Sequence, residues 1–331
     1  MKLAIVGTNF ISDNLIDAAK ETENVEIVAV YSRKRDTGTA FAEKHGIREV
    51  YTDYSEMLIS SPADAIYVAS PTVCHAEHSI AALRAGKHVL CEKMMASDLD
   101  GFIRMRDTAL AEDRVLLEAM RPAHDIAYTP FRVNLSRIGK IKSAHFEFCQ
   151  YSSRYDRFKA GILTNAFDPQ MMNSSLSDIG IYPLYLALSL FGAPKDLNAE
   201  SRILHNGFEG EGRLTLHYGC FDVDIVYSKL RNSSTPSYVL GENGRLIIDK
   251  ISAPTRITYE SLSGERELLF DTPHKNNMKY ELLAFRRMTE GELDYKKHLA
   301  VTELQQRTVD LAYRISGAEK YLGCGNKSIP V

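Results

Sequence analysis

The sequence predicts an α/β domain with a doubly wound parallel sheet, followed by an α+β domain built on a mainly antiparallel sheet. Three observations carry this expectation. Over the first 120 residues, short apolar runs rich in Val, Ile and Ala alternate with segments of helical period. The first run ends in a glycine turn of the kind that receives a dinucleotide. Beyond residue 212, short alternating runs separated by Gly, Asn, Ser and Pro replace the helical segments. The 331 residues accommodate two domains, expected at 1–120 and 121–331.

Residues 3–6 (Leu-Ala-Ile-Val) form an uninterrupted apolar run stopped by Gly7, as in a strand buried on both faces. Further strands are expected at 26–31, 49–51, 65–69, 88–91 and 115–118. Between them, Ile11, Leu15 and Ala18/Ala19 recur at helical spacing, Asp53 and Glu56 have capping-box spacing, and the segment 75–85 stops at Gly86. The rhythm changes after Met120. A helical segment near 130–136, a strand at 143–149 and an irregular stretch through Asn173 come next. Strands are then expected at 213–218, 221–227, 237–240, 245–248 and 256–260. Two helices finish the chain, 279–290 before Gly291, and 302–316 with Leu304, Leu311 and Ile315 on one stripe.

Composition excludes several classes. A formal charge of −3 without a basic block speaks against nucleic acid. Five cysteines (Cys74, Cys91, Cys149, Cys220, Cys324) with no C-x-x-C pair fit neither a disulfide framework nor a zinc knuckle, and read as reduced thiols. No run approaches the ~18 apolar residues of a membrane span, and the N-terminus is too short in apolar residues for a signal peptide. A cytoplasmic protein is expected. His75 and His78 stand three apart without a third ligand or an H-E-x-x-H pattern, so no metal is expected.

Gly7-Thr8-Asn9-Phe10-Ile11-Ser12 occupies the place of the Rossmann fingerprint G-x-G-x-x-G but keeps only its first glycine. Asn9 is expected to replace the second glycine by tolerating a left-handed conformation, and Ser12 is small enough for close helix packing. At the tip of the second strand, Ser32-Arg33-Lys34-Arg35 stands where an Asp or Glu would select NAD. A hydroxyl and guanidinium groups suit a 2′-phosphate, so NADP is expected, with NAD the alternative. Lys93 after Glu92, with Asp178 and Tyr182 farther on, supplies an ammonium, a carboxylate and a phenol for moving a proton while a hydride moves elsewhere. An ammonium about 4 Å from a phenol, at an effective dielectric of ~20, contributes on the order of 4 kcal/mol toward ionisation. Such a shift would bring a tyrosine into working range near neutrality.

With these residues in view, the chain resembles, nearly end to end, the family of glucose-fructose oxidoreductase, inositol dehydrogenase and MocA-like proteins. The markers are 3–12, Ser70-Pro71-Thr72 with His75, Glu92-Lys93, 118–121, and Asp178 to Tyr182 followed by Pro183-Leu184. The ending Asp-x-x-x-Tyr is similar to the dihydrodiol dehydrogenase subgroup. The resemblance implies hydride transfer to or from a sugar, polyol or related small hydroxy or carbonyl compound, an open C-terminal sheet holding substrate on one face, and a homodimer or higher homo-oligomer through the other. It further implies Lys93 beside the reacting carbonyl, Tyr182 as proton donor with Asp178 one helical turn earlier, and Glu92 positioning the nicotinamide end. Ser70, Pro71, Thr72, His75 and Arg121 would line the cofactor.

Asn9, Met94 in place of a usual Pro, and Ser174-Ser175 in place of usual glycines depart from the family pattern. They set up the alternative of a weakened or inactive relative that binds a nucleotide or small molecule and acts through a protein partner. Tyr151, Arg154, Tyr155, Lys159 and Asn165 either line a substrate pocket or form a surface loop.

Overall fold

The computed structural model of the chain describes residues 1–272 and 276–323, so Cys324 lies outside the described residues. The chain divides into two compact units. Met1–Arg121 with Asn276–Glu303 forms the first, and Pro122–Lys275 with Leu304–Val331 the second.

In the first unit six strands run β1 (Lys2–Val6), β2 (Glu26–Tyr31), β3 (Glu49–Tyr51), β4 (Ala65–Val68), β5 (His88–Glu92) and β6 (Leu116–Ala119). They pair in parallel in the spatial order β3-β2-β1-β4-β5-β6. Helices α1 (Phe10–Lys20), α2 (Arg35–His45), α3 (Tyr54–Ser60), α4 (His75–Arg84) and α5 (Leu99–Ala111) make the crossovers. The continuous apolar character of β1 has a direct cause: Leu3 and Ile5 enter one core cluster with Leu15 of α1, while Ala4 and Val6 enter another with Ile80 of α4 and Phe102 of α5. Asp53 accepts from the Glu56 amide at 3.0 Å, capping α3 as its spacing implies.

A single break between residues 120 and 121 does not describe the chain. Helix α6 is the single turn Arg121–His124, followed by α7 (Tyr128–Val133), α8 (Tyr155–Lys159), α9 (Ile181–Phe191) and α10 (Met278–Thr289). Met278, Leu282 and Phe285 of α10 join the cluster of Leu3 and Ile5, which is why Asn276–Glu303 groups with the first unit. The unit border then falls inside α11 (Lys296–Ser316). Leu311 and Ile315 of α11 are exposed, contrary to the stripe expected from hydropathy. Thr302, Gln305, Thr308, Val309, Ala312 and Tyr313 are buried instead, a face whose polar and small members give a weak hydropathy signal.

The second unit contains an eight-stranded sheet of β7 (Ile141–Cys149), β8 (Asp196–Ile203), β9 (Glu209–His217), β10 (Asp222–Ser228), β11 (Ser237–Gly241), β12 (Gly244–Ile248), β13 (Arg256–Ser261) and β14 (Arg266–Asp271). Its order is β14-β13-β12-β11-β7-β10-β9-β8, antiparallel throughout except for β7 with β10. β8 and β14 are the two edge strands, and neither is among the strands expected from the sequence. β8 alternates, with Leu197, Ala199, Ser201 and Ile203 on its more covered face, but charged and polar residues fill the other face, while β14 is uncovered over most of its length and shows no alternation. A π-helical turn, Leu176–Gly180, leads into α9, where residues 181–188 are all buried.

Gly180 packs on the ring of Tyr227 so closely that a Cβ would lie 2.7 Å from Cγ. Gly180→Ala should therefore cost about 1–3 kcal/mol through overpacking. Urea unfolding followed by tyrosine fluorescence measures this, and an unchanged midpoint would refute the contact.

Candidate active site

The first unit gathers its candidate residues at the C-terminal ends of the parallel strands. The order of the sheet reverses between β1 and β4, the position where open α/β sheets bind ligands. Gly7 closes β1 with φ +105°, and a Cβ there would lie 2.6 Å from the Ala69 carbonyl oxygen. Only glycine fits this cradle. The Ser12 hydroxyl donates to the Gly7 carbonyl at 2.9 Å, tying helix to turn.

Asn9 corrects the sequence expectation. Its backbone is extended (φ −92°, ψ 176°), not left-handed, and the residue is the N-cap of α1. Its Oδ1 accepts from the Ile11 and Ser12 amides while Nδ2 donates 2.9 Å to the Ala69 carbonyl, joining the two strands on either side of the reversal. A side-chain amide thus takes two first-turn donors, and the exposed Phe10 opens the helix. The turn fits a dinucleotide through the glycine cradle and the helix N-terminus rather than through a second glycine.

At the tip of β2 the four expected residues separate by environment. Ser32 is almost buried against Gly38 and donates its amide to Tyr51. Arg35 turns its guanidinium to the Val50 carbonyl at 3.2 Å. Arg33 is exposed, and its charge reaches Tyr31, Cys74 and His78. Among these residues Arg33 is the guanidinium most available to a phosphate.

After β4, Pro71 is exposed, and Thr72 accepts from Ser97 through its carbonyl. His75 does not face outward as a cofactor ligand would. It is 2% exposed, with Nδ1 2.8 Å from the Met94 carbonyl and Nε2 2.8 Å from the Ser70 carbonyl. Burial and the nearby Lys93 charge push its pKa down, against the two carbonyls that favour protonation. His78 bonds the Ser70 hydroxyl at 2.9 Å and packs on Tyr31 and Tyr54; burial holds its pKa at about 4. Both histidines therefore serve the strand end. Among the described residues no three His, Cys, Asp or Glu side chains cluster as metal ligands.

Lys93 follows β5 and is half-buried. The Lys93–Met94 peptide is cis, with Met94 where the family pattern has Pro. The loop is held at successive points: His75 on the Met94 carbonyl, and the Glu118 carboxylate on the Met95 amide at 3.1 Å. Glu118 also accepts from Thr302. Glu92 lies beneath, buried, accepting from the Tyr67 phenol at 2.6 Å and from the Lys93 amide at 3.3 Å. Burial raises its pKa, opposed by the Tyr67 hydrogen bond and the charges of Lys93 and Arg121.

Glu281, from α10, is completely buried, and among the described residues neither carboxyl oxygen has a hydrogen-bond partner. Burial and the Glu92 carboxylate push its pKa well above the usual range, opposed by Arg121. Arg121 thus acts on this buried pair. Glu118 falls in the marker segment 118–121, but nothing in the sequence marked Tyr67 or Glu281 as parts of the site, because each is recruited from a distant strand or helix.

In the second unit, Asp178 lies within the π-helical turn and Tyr182 in the first turn of α9, so the regular α-helical spacing expected between them is replaced by a wider turn. The Tyr182 ring lies 5.7 Å from that of Phe148. Asp178 Oδ2 accepts from Lys229 Nζ at 2.8 Å. Ser174 and Ser175, which stand where the family pattern has glycines, are fully buried and bonded inward, to Tyr313 and to the Gly210 carbonyl. Tyr151, Asp156 and Lys159 form a local exposed network, and the Asn165 carbonyl accepts from Asn173. Arg154 is exposed and Tyr155 stacks on Phe158 and Phe167.

A model of the oxidoreductase family with an NAD-binding Rossmann fold matches residues 1–119. Scyllo-inositol 2-dehydrogenase (NADP(+)) of Bacillus subtilis (strain 168) is 38% identical over 285 residues, 86% of this chain and 87% of that protein. The chain belongs to this oxidoreductase family. The trans-1,2-dihydrobenzene-1,2-diol dehydrogenase of Mus musculus is 27% identical over 274 residues, 81% of this chain and 79% of that protein. The fold of a 3-ketoreductase from Actinomadura kijaniata, solved with TDP-benzene and NADP, matches with a TM-score of 0.81 at 24% identity, covering 96% of this chain and 97% of that one. As a family member the chain is an NAD(P)-dependent oxidoreductase.

Glu281 yields a pH-dependent prediction. Its folded pKa is raised, so the folded state retains a proton that the unfolded state loses above the ordinary glutamate range. Stability is therefore lost as pH rises from about 4.5. Glu281→Gln removes this slope. Its thermal midpoint relative to wild type should climb between pH 4.5 and 7.5, whereas a pH-independent difference would mean that Glu281 ionises normally.

Proposed function

We propose that the chain transfers a hydride between NADP(H) and the hydroxyl or carbonyl carbon of a sugar, polyol or related small compound. The observation that carries the reading is the strand-end arrangement in the first unit, where a glycine-only cradle, an exposed Arg33 and a multiply anchored Lys93 loop surround the reversal of the sheet. The nicotinamide supplies the hydride acceptor or donor when bound. Gly7 and the first turn of α1 hold the pyrophosphate, and Arg33 pairs with the 2′-phosphate.

Lys93 is the cation that stabilises developing negative charge, and Tyr182 is the phenol that gives or takes the proton. Asp178 supplies a carboxylate acceptor for a substrate hydroxyl. Residues 121–331 provide most of the substrate-binding part, and residues 1–120 most of the dinucleotide-binding part. Dimerisation uses the outer face of the eight-stranded sheet, supported by its paired charges Arg213–Asp224 and Arg245–Glu260–Arg266. The cytoplasm is the compartment that reduced cysteines suit.

Titration with NADPH and NADH, followed by energy transfer from tyrosine and by calorimetry, should show NADPH bound more tightly. Arg33→Ala should weaken NADPH by about 10–100-fold and NADH little. Equal losses for both nucleotides would refute the 2′-phosphate role. With NADP+ and a panel of scyllo-inositol, myo-inositol, D-glucose and D-xylose, Lys93→Met and Tyr182→Phe should each lower kcat by about 10²–10⁴-fold without changing NADPH affinity. Near wild-type kcat in either variant would remove that residue from the chemistry.

A further inference from the structure

We infer that Lys229 is a positioning residue of the reaction, fixing the Asp178 carboxylate in the orientation in which it meets substrate. This rests on the proposed function insofar as Asp178 belongs to the substrate site. Lys229 follows β10 and is 5% exposed. Its Nζ donates 2.8 Å to Asp178 Oδ2 and 2.9 Å to the Ala166 carbonyl, and lies 5.1 Å and 5.4 Å from the ring centroids of Phe167 and Phe208. A buried ammonium is costly unless its protons are satisfied and its charge is opposed. Here a carbonyl, a carboxylate and two aromatic faces do both. The backbone of Lys229 is held as well, its amide on the Gly210 carbonyl at 3.0 Å and its carbonyl on the Ser152 amide at 3.0 Å. The cation is an immobile point from which the carboxylate is held.

The pair is asymmetric. The Lys229 side chain is 6% exposed and that of Asp178 40%, so the cation lies inside and the carboxylate reaches the surface. A brace that served packing alone would not need an accessible partner. The turn carrying Asp178 is anchored without Lys229: the Leu176 amide donates 2.9 Å to Glu209 Oε2, and the Ser175 hydroxyl 2.6 Å to the Gly210 carbonyl. Glu209 is itself buried and held by Ser201 and Tyr227. Removing the ammonium therefore leaves the turn in place and takes away one hold on the carboxylate, which separates a kinetic effect from unfolding.

The test is a double-mutant cycle of wild type, Lys229→Met, Asp178→Asn and the double variant. Each is assayed for kcat and KM with NADP+ and the four sugars and polyols named above, with NADPH affinity measured alongside. If Lys229 acts through Asp178, each single variant loses about tenfold or more in kcat/KM. The double variant is no worse than Asp178→Asn, NADPH affinity stays within about twofold, and Lys229→Arg recovers part of the loss. Should Lys229→Met fail to fold, Lys229→Gln, which can still donate to Ala166, takes its place under the same criterion. Additive losses, or wild-type kinetics in Lys229→Met with only a lowered thermal midpoint, overturn the inference while the proposed function stands. Wild-type kcat/KM in Asp178→Asn overturns both the inference and the assignment of Asp178 to the site.

Discussion

The two ring nitrogens of one buried imidazole, His75, each lie 2.8 Å from a carbonyl oxygen, that of Ser70 at the end of β4 and that of Met94 just past β5. Parallel strands are held together by their own ladder, but the loops that leave their C-terminal ends are not. His75 spans that gap, donating its single N–H to one of the two carbonyls while the ring packs between them, from the first residue of α4, whose place is fixed by the packing of Ile80, Ala82 and Leu83 on the sheet. The position of the Lys93 loop therefore follows from a core, relayed through one side chain. Glu118 adds a second hold on the same loop from β6.

Beneath that loop the first unit keeps a pair of carboxyls, Glu92 and Glu281, away from water, together with the Tyr67 phenol and the charge of Arg121. Two adjacent carboxylates cannot both ionise cheaply where water does not screen them. Glu281, without a hydrogen-bond partner among the described residues, is the one whose pKa burial and the Glu92 charge push well up. Glu92, bonded to Tyr67 and to the Lys93 amide, has the better support for its charge. The second unit solves a similar problem differently. Glu209 is buried with donors from Leu176, Ser201 and Tyr227 around it, and Lys229 with acceptors around it. In each unit these hydrogen-bonded buried groups are held by partners fixed in place, so they need not rearrange.

The fold was legible because its signals are local or periodic. Leu3 to Val6 is apolar at every position since alternate residues enter two different cores, and Asp53 caps α3 with a spacing visible in the chain. The edge strand β14 was not legible, since most of its residues lie uncovered and show no alternation, while β8 does alternate but carries too few large apolar residues, only Leu197 and Ile203, to stand out. Leu311 and Ile315 misled for a related reason: hydropathy marks apolar side chains, while the buried face of α11 is built partly from Thr and Gln. In the candidate site, Gly7 could be read from the turn. The conformation of Asn9 could not, because the acceptor that draws its amide, the Ala69 carbonyl, is sixty residues away.

By itself the sequence determined the two sheets, the glycine turn, the basic tip of β2 and the presence of Lys93, Asp178 and Tyr182, since each is a property of residue type at a given spacing. Only the tertiary structure decided that His75 faces two carbonyls, that Ser174 and Ser175 point inward, that α10 joins the first core, and that Lys229 stands behind Asp178. These depend on which groups burial brings within hydrogen-bond reach. A buried polar atom must find its partner wherever the fold places one, and nothing in the spacing along the chain records that choice.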